Sequence, residues 1–272
     1  VLSTPTFLGV LMETLLLIGF FMSAYAVVAN DSIQTLGTFI SSNKQRQWWH
    51  LWLWFGGIMV GTATVGWYLN GGDLSWGRLE KIPYPEEFKY KFLLAPVCLL
   101  VLTRLGVPVS TTLFTLTTFA SAPTIMKMVK KSVTGYVIAS VGAYLLWTIV
   151  SRHVKKNKSW WNNVPPIWSK LQVVSTSFLW ITWLMHDSAN HSVFLPRDIS
   201  INFLLLYLGT TFSLLGLIFY LQGGKIQQVV QRKSDVINLK QVTIIDLFYG
   251  TLLYIFKVIN PIPMSTTWLF VG

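Results

Sequence analysis

The chain has 272 residues, of which 53% are hydrophobic and only 11% charged, with 13 Trp and a mean hydropathy of +0.53. So little charge cannot cover a soluble globule of this size, which excludes the soluble classes and implies an integral membrane protein in contact with a lipid bilayer. The formal charge of +11 would suggest nucleic acid in a soluble chain, but here the basic residues cluster between apolar runs, at Lys44 and Arg46 and over 127–131, 152–158 and 225–240, where topology and anionic lipid account for them without nucleic acid.

A hydrocarbon core of about 30 Å takes about 20 helical residues to cross. Apolar stretches predict helices near 6–28, 48–69, 91–105, 132–151, 167–185, 200–222 and 242–258, and no separate soluble domain. The opening run, 7–28, is longer than a signal-peptide core and lacks a basic leader, so it reads as a retained span. Glu13 lies within it and is assigned a structural role. Directly after it comes the polar string Asn30-Asp31-Ser32, continuing through Gln34 and Thr35 before any basic residue, which predicts a helix interrupted within the membrane. An ionisable residue at such depth costs a few kcal/mol and normally faces a polar cavity or a partner.

Trp48, Trp49, Trp52 and Trp54, and later Trp160, Trp161 and Trp168, flank spans where aromatic rings settle at the headgroups. Residues 70–91, with Gly71-Gly72, Pro83, Pro85 and balanced charge, read as a soluble connector. The single Cys98 rules out an internal disulfide. Basic residues on both sides of 132–151 leave the orientation open.

The motif Pro108-Val109-Ser110-Thr111-Thr112 recurs as Pro263-Met264-Ser265-Thr266-Thr267. Four fixed residues recur by chance roughly once in 10⁵ positions, so a second copy in this chain points to duplication. Each copy trails an acidic residue by nearly the same distance: 77 residues from Asp31 (108 minus 31) and 76 from Asp187 (263 minus 187). Asp187 itself stands in His186-Asp187-Ser188-Ala189-Asn190, again after an apolar run. His186 reads either as a hydrogen-bonded structural residue or as a proton-titrating or substrate-contacting one, and His191 as peripheral. Lys91 and Asp246 precede their respective Pro by 17 residues each (108 minus 91, 263 minus 246) and read as span-end anchors.

The chemistry of these strings is complementary. Pro stops a preceding helix, and the Ser and Thr that follow can open a new half-helix whose first amides and hydroxyls receive an oxyanion. Carboxylates beside such a site repel the anion unless a small hard cation or a proton lies between them, which is a physical reason for coupled transport.

Both strings together resemble the inorganic phosphate transporter (PiT) family, whose halves carry Gly-Ala-Asn-Asp-x-x-Asn and Pro-Val-Ser-Thr-Thr signatures. The resemblance runs from about residue 20 to 272. It implies an all-α integral membrane fold of the inverted-repeat secondary-transporter type, with interrupted helices and re-entrant Ser/Thr hairpins; residues 1–155 form the first repeat and 156–272 the second. It further implies that Ser110, Thr111, Thr112, Ser265, Thr266, Thr267, Asn30 and Asn190 bind phosphate or a related oxyanion. Asp31 and Asp187, with His186 beside them, serve the coupling ion, Na⁺ or H⁺, with Na⁺ the metal expected at the two carboxylates. The chain departs from the pattern at Val28, Gln34 and His186, and the sequence ends soon after the second hydroxyl motif, where family members continue with further apolar helix.

The expected localisation is the plasma (inner) membrane, without a further cofactor and without enzymatic activity, with a second copy or a larger membrane complex as protein partners. Two other classes compete: a structural subunit that keeps a transporter-like scaffold, motivated by the divergent acidic motifs, and a haem protein using His50, His153, His186 and His191, which the end-of-span positions of His50 and His153 disfavour.

Overall fold

The computed structural model describes residues 7–233 and 238–271, and every regular element among them is helical. Residues 234–237 of the basic stretch at 225–240 lie outside the described residues, as does Gly272. The seven predicted helices are all present.

Helix α1 (Phe7–Ala26) runs without a break into a π-helical turn (Val27–Asp31) and then α2 (Ser32–Ser42). The interruption expected at Asn30-Asp31 is therefore a widened turn in a continuous helix. The polar side chains do not break it because they are satisfied locally: Ser32 Oγ donates to the Val28 carbonyl, Thr35 Oγ1 to the Asp31 carbonyl at 3.2 Å, and Gln34 Nε2 to Asn30 Oδ1 at 3.2 Å. Neither Pro nor Gly lies in the turn to stop propagation.

Helix α3 (Trp48–Leu69) is followed by turns over 70–90 and by α4 (Lys91–Leu105). Gly106, at φ 77°, ends α4 in the left-handed conformation that favours glycine, and Pro108 prevents its resumption. The chain re-enters helix only at α5 (Thr111–Phe119), whose nine residues span about 14 Å at 1.5 Å per residue, half a hydrocarbon core. Long α6 (Ala122–Lys156) and short α7 (Lys158–Asn162) follow, then α8 (Ile167–Asp187), α9 (Ala189–Ser192) and α10 (Ile201–Tyr220). The chain ends with α11 (Gly224–Lys233), α12 (Leu239–Ile259) and α13 (Thr266–Val271). Among the described residues, four stretches have the length and hydropathy of a membrane crossing: Gly9–Ser42, Ala122–Lys156, Ile201–Tyr220 and Leu239–Ile259. The flank of α6 exposes Val133, Val137, Val141, Tyr144 and Trp147, a surface that lipid tails match and water does not.

Helix α1 packs on α4, α8 on α12, α3 on α10, and α13 on α6. The α8–α12 contact is the most extensive, and Gly250 permits it: a Cβ there would lie 2.8 Å from Phe178 Cδ1 and 3.2 Å from the Leu179 Cα. Around it Phe55 stacks on Phe219 at 6.1 Å and Trp180 on Trp183 at 4.7 Å, with Trp180 Nε1 donating to the Phe55 carbonyl at 2.9 Å.

Four further sequence readings change. The connector 70–91 is irregular, as expected, but its first part is not solvated: Leu74, Ser75, Arg78, Leu79 and Ile82 are buried, while Pro83, Glu86, Glu87 and Lys89 are exposed. Asp246 is no span-end anchor: it is buried within α12, where it accepts from Thr176 Oγ1 and, at 3.5 Å, from Thr38 Oγ1, whereas Lys91 is exposed at the start of α4. His191 is buried, stacked on Tyr207 at 4.7 Å with Nε2 3.3 Å from Thr211 Oγ1. Trp48 and Trp52 also turn inward, stacked on each other at 5.9 Å, with Trp52 Nε1 on the Phe212 carbonyl at 2.9 Å.

Candidate functional site

The two hydroxyl motifs open their helices in the same way. Ser110 caps α5, its Oγ accepting from the Leu113 amide at 3.2 Å, and Ser265 accepts from the Trp268 amide at 3.1 Å before α13. In each motif the serine oxygen thereby accepts within the local turn and keeps its own proton, and the threonines face the rest of the protein.

Their partners are the carboxylates. Thr111 Oγ1 donates to Asp31 Oδ2 across 80 residues, and Thr266 Oγ1 donates to Asp187 Oδ2 across 79, at 2.5 Å. Each acid thus meets the first threonine of the motif that follows it, so the matched spacing in the sequence goes with an equivalent contact in both halves. Two further bonds join the motif-bearing parts: Thr112 Oγ1 donates to Asp187 Oδ1 at 3.2 Å, and Thr267 Oγ1 donates to the Val109 carbonyl at 3.1 Å. Asn190 closes the circuit, Nδ2 reaching Thr111 Oγ1 at 2.8 Å and Asp187 Oδ1 at 3.0 Å, while Asn30 Nδ2 holds the Val109 carbonyl at 2.8 Å. Every Asp, Asn, Ser and Thr side chain of this network is buried.

Two acceptors inside it, Asp31 Oδ1 and Asn190 Oδ1, have no hydrogen-bond donor among the described residues. A buried oxygen without a donor is costly unless a proton or a cation meets it. Among the described residues no three or more His, Cys, Asp or Glu gather where a metal ion could be held, so a cation here would draw its remaining ligands from hydroxyl and carbonyl oxygens.

His186 does not join the circuit. Its Nε2 lies 2.8 Å from the Leu253 carbonyl, which can only accept, so Nε2 carries the proton and clamps α8 to α12. The loop before the second motif is clamped by α6: Lys131 Nζ donates to the carbonyls of Phe256 (3.1 Å), Asn260 (2.5 Å) and Ile262 (2.9 Å), and Ser132 Oγ accepts from the Ser265 amide at 2.9 Å.

Sequence reasoning missed Arg78. Its side chain is 1% exposed, and among the described residues Nε, Nη1 and Nη2 have no hydrogen-bond partner. Burial pushes its pKa down to about 10 while the charge of Asp187 acts in the opposite sense, so it is cationic at neutral pH. The signal was the spacing of Leu74, Leu79 and Ile82, apolar positions that a solvated loop would not need. A search of protein-family models, of curated proteins and of solved structures returned no match to the chain.

Proposed function

We propose that the protein is a secondary active transporter, moving inorganic phosphate or a similar tetrahedral oxyanion across the plasma (inner) membrane together with Na⁺ or H⁺. The observation that carries the proposal is the buried circuit that ties two hydroxyl motifs, distant in sequence, to two carboxylates deep in an apolar helical protein. Structural polarity alone rarely needs two acids, two amides and four threonines in one place within a membrane. The matched packing of α1 on α4 and of α8 on α12 supports an inverted duplication, with α4 and α5 as a re-entrant hairpin. The donorless Asp31 Oδ1 and Asn190 Oδ1 support the coupling ion.

Liposomes containing the purified protein are expected to accumulate labelled phosphate only under an inward Na⁺ or H⁺ gradient. Absence of uptake for phosphate and sulfate under both gradients would end the transport reading. The commitment of His186 to the Leu253 carbonyl favours a second reading, a structural subunit on a transporter-like scaffold. Stoichiometric copurification with other membrane subunits, without flux on reconstitution, is its signature.

A further inference from the structure

The four threonine hydroxyls have one proton each, and each is already donated: Thr111 to Asp31, Thr112 and Thr266 to Asp187, Thr267 to the Val109 carbonyl. An anion entering this circuit therefore finds none of the four threonine hydroxyls free unless a carboxylate or the Val109 carbonyl gives one up, while the Ser110 and Ser265 hydroxyls, which accept from amides, keep their own protons. The guanidinium of Arg78 is different, because none of its nitrogens is engaged.

Its position is fixed by construction. Asp73 accepts from the Ser75 and Gly77 amides, both at 2.7 Å, and from Ser75 Oγ at 2.9 Å, and Ser75 Oγ accepts in turn from the Leu79 amide at 3.1 Å. This turn is bolted to the site: Ser188, next to Asp187, donates its hydroxyl to the Leu74 carbonyl at 2.9 Å, and the Ile199 amide donates to the Gly72 carbonyl at 3.2 Å. Arg197 fastens the far end, with Nε on the Ile82 carbonyl at 2.9 Å and Nη2 on the Pro83 carbonyl at 3.0 Å. Arg78 thus stands four residues beyond Leu74, whose carbonyl holds the neighbour of Asp187, in a turn whose two ends are both fastened to the segment 188–199. A cation so deeply buried, with no donor engaged, is stable only opposite an anion that can accept from it.

We propose that Arg78 is a resident ligand of the transported oxyanion: its planar fork takes two oxygens of a tetrahedral anion, phosphate or sulfate, beside Asp187, and supplies within the protein one positive charge that the two carboxylates and the anion require. This rests on the oxyanion reading of the site. Two parallel N–H donors match adjacent oxygens of such an anion in a way an ammonium cannot reproduce.

Binding to the full-length protein in detergent, measured by calorimetry and by the anion-dependent rise in melting temperature against chloride at equal ionic strength, separates this proposal from transport itself. Wild type is expected to bind phosphate or sulfate. Arg78→Lys should weaken the Kd by about tenfold and Arg78→Gln by more, with the anion-dependent rise in melting temperature lost in step. Lys89→Gln, an exposed basic residue of the same segment, should leave the Kd unchanged. If Arg78→Gln does not fold, Arg78→Lys alone decides. The proposal is overturned if wild type binds neither anion, if the Arg78 variants keep the wild-type Kd, or if they lower the melting temperature equally with and without anion. Binding that depends on Arg78 without flux in liposomes would sink transport and leave the ligand assignment standing.

Discussion

Asp31 and Asp187 occupy matched places in the sequence, yet their surroundings differ in a way that separates the effects of the same substitution. Asp187 accepts from Thr112, Thr266 and Asn190, using both oxygens. An amide at that position turns one acceptor into a donor that faces a donor, so Asp187→Asn is expected to destabilise the protein by about 1–3 kcal/mol. Asp31 accepts from Thr111 through Oδ2 alone. Asparagine can keep its carbonyl toward Thr111 and put its NH₂ where Oδ1 has no donor, so Asp31→Asn should fold nearly as well as wild type. Under the proposed transport function, both should abolish coupled uptake. Thermal unfolding in detergent alongside liposome flux checks the pair; equal destabilisation by the two variants would contradict the hydrogen-bond assignment.

At the scale of elements, the site depends on clamps remote from the chemistry. Lys131 is a cap for three carbonyls at the end of α12, and Lys131→Met leaves them without that donor in the loop that presents Ser265 and Thr266. Its expected cost is about 2–4 kcal/mol, the loss of two or three bonds to a charged donor less what water recovers. Limited proteolysis or unfolding should register it, with α1 and α4 unaffected. Gly72 plays the corresponding part under the Arg78 segment: its φ is +106°, and a Cβ would lie 3.1 Å from the Asp198 Cα. Gly72→Val is therefore expected to loosen that segment and weaken oxyanion binding without altering a single polar group of the site. Unchanged binding in a folded Gly72→Val protein would mean that the turn does not hold Arg78 in place. How much of this was legible follows from how local each signal is. Helix positions and the hydroxyl motifs are written in short strings, so the apolar runs and the Pro-x-Ser-Thr-Thr repeats read directly. The π-helical turn at Val27–Asp31 was not legible, because apolar periodicity does not distinguish a widened turn from a broken helix when polar residues fall in it. Arg78 was hidden for another reason: glycine, proline and balanced charge are the composition of a solvated loop, and only tertiary contacts such as that of Ser188 with the Leu74 carbonyl bury it.

Across the whole molecule, two classes of bond hold the site, and they answer to different parts of the chain. Asp31 with Thr111 and Asp187 with Thr266 lie within the two sequence halves, while Thr112 with Asp187 and Thr267 with Val109 cross between them. The first class was foreseeable from equal spacing; the second depends on how the halves meet, through α3 on α10 and α13 on α6, which no spacing encodes. Under alternating access the crossing bonds are those that must open while the bonds within each half persist. Thr267→Val removes one crossing donor and nothing else that Thr267 supplies. A lost bond of about 1 kcal/mol should speed local amide exchange about fivefold where opening is local. Hydrogen–deuterium exchange is therefore expected to rise around 107–112 and 264–269 in Thr267→Val, with α1 and α4 at wild-type rates. Exchange raised evenly through all helices would instead identify the Thr267 bond as part of one global core, and the two halves would have no separate motion to support transport.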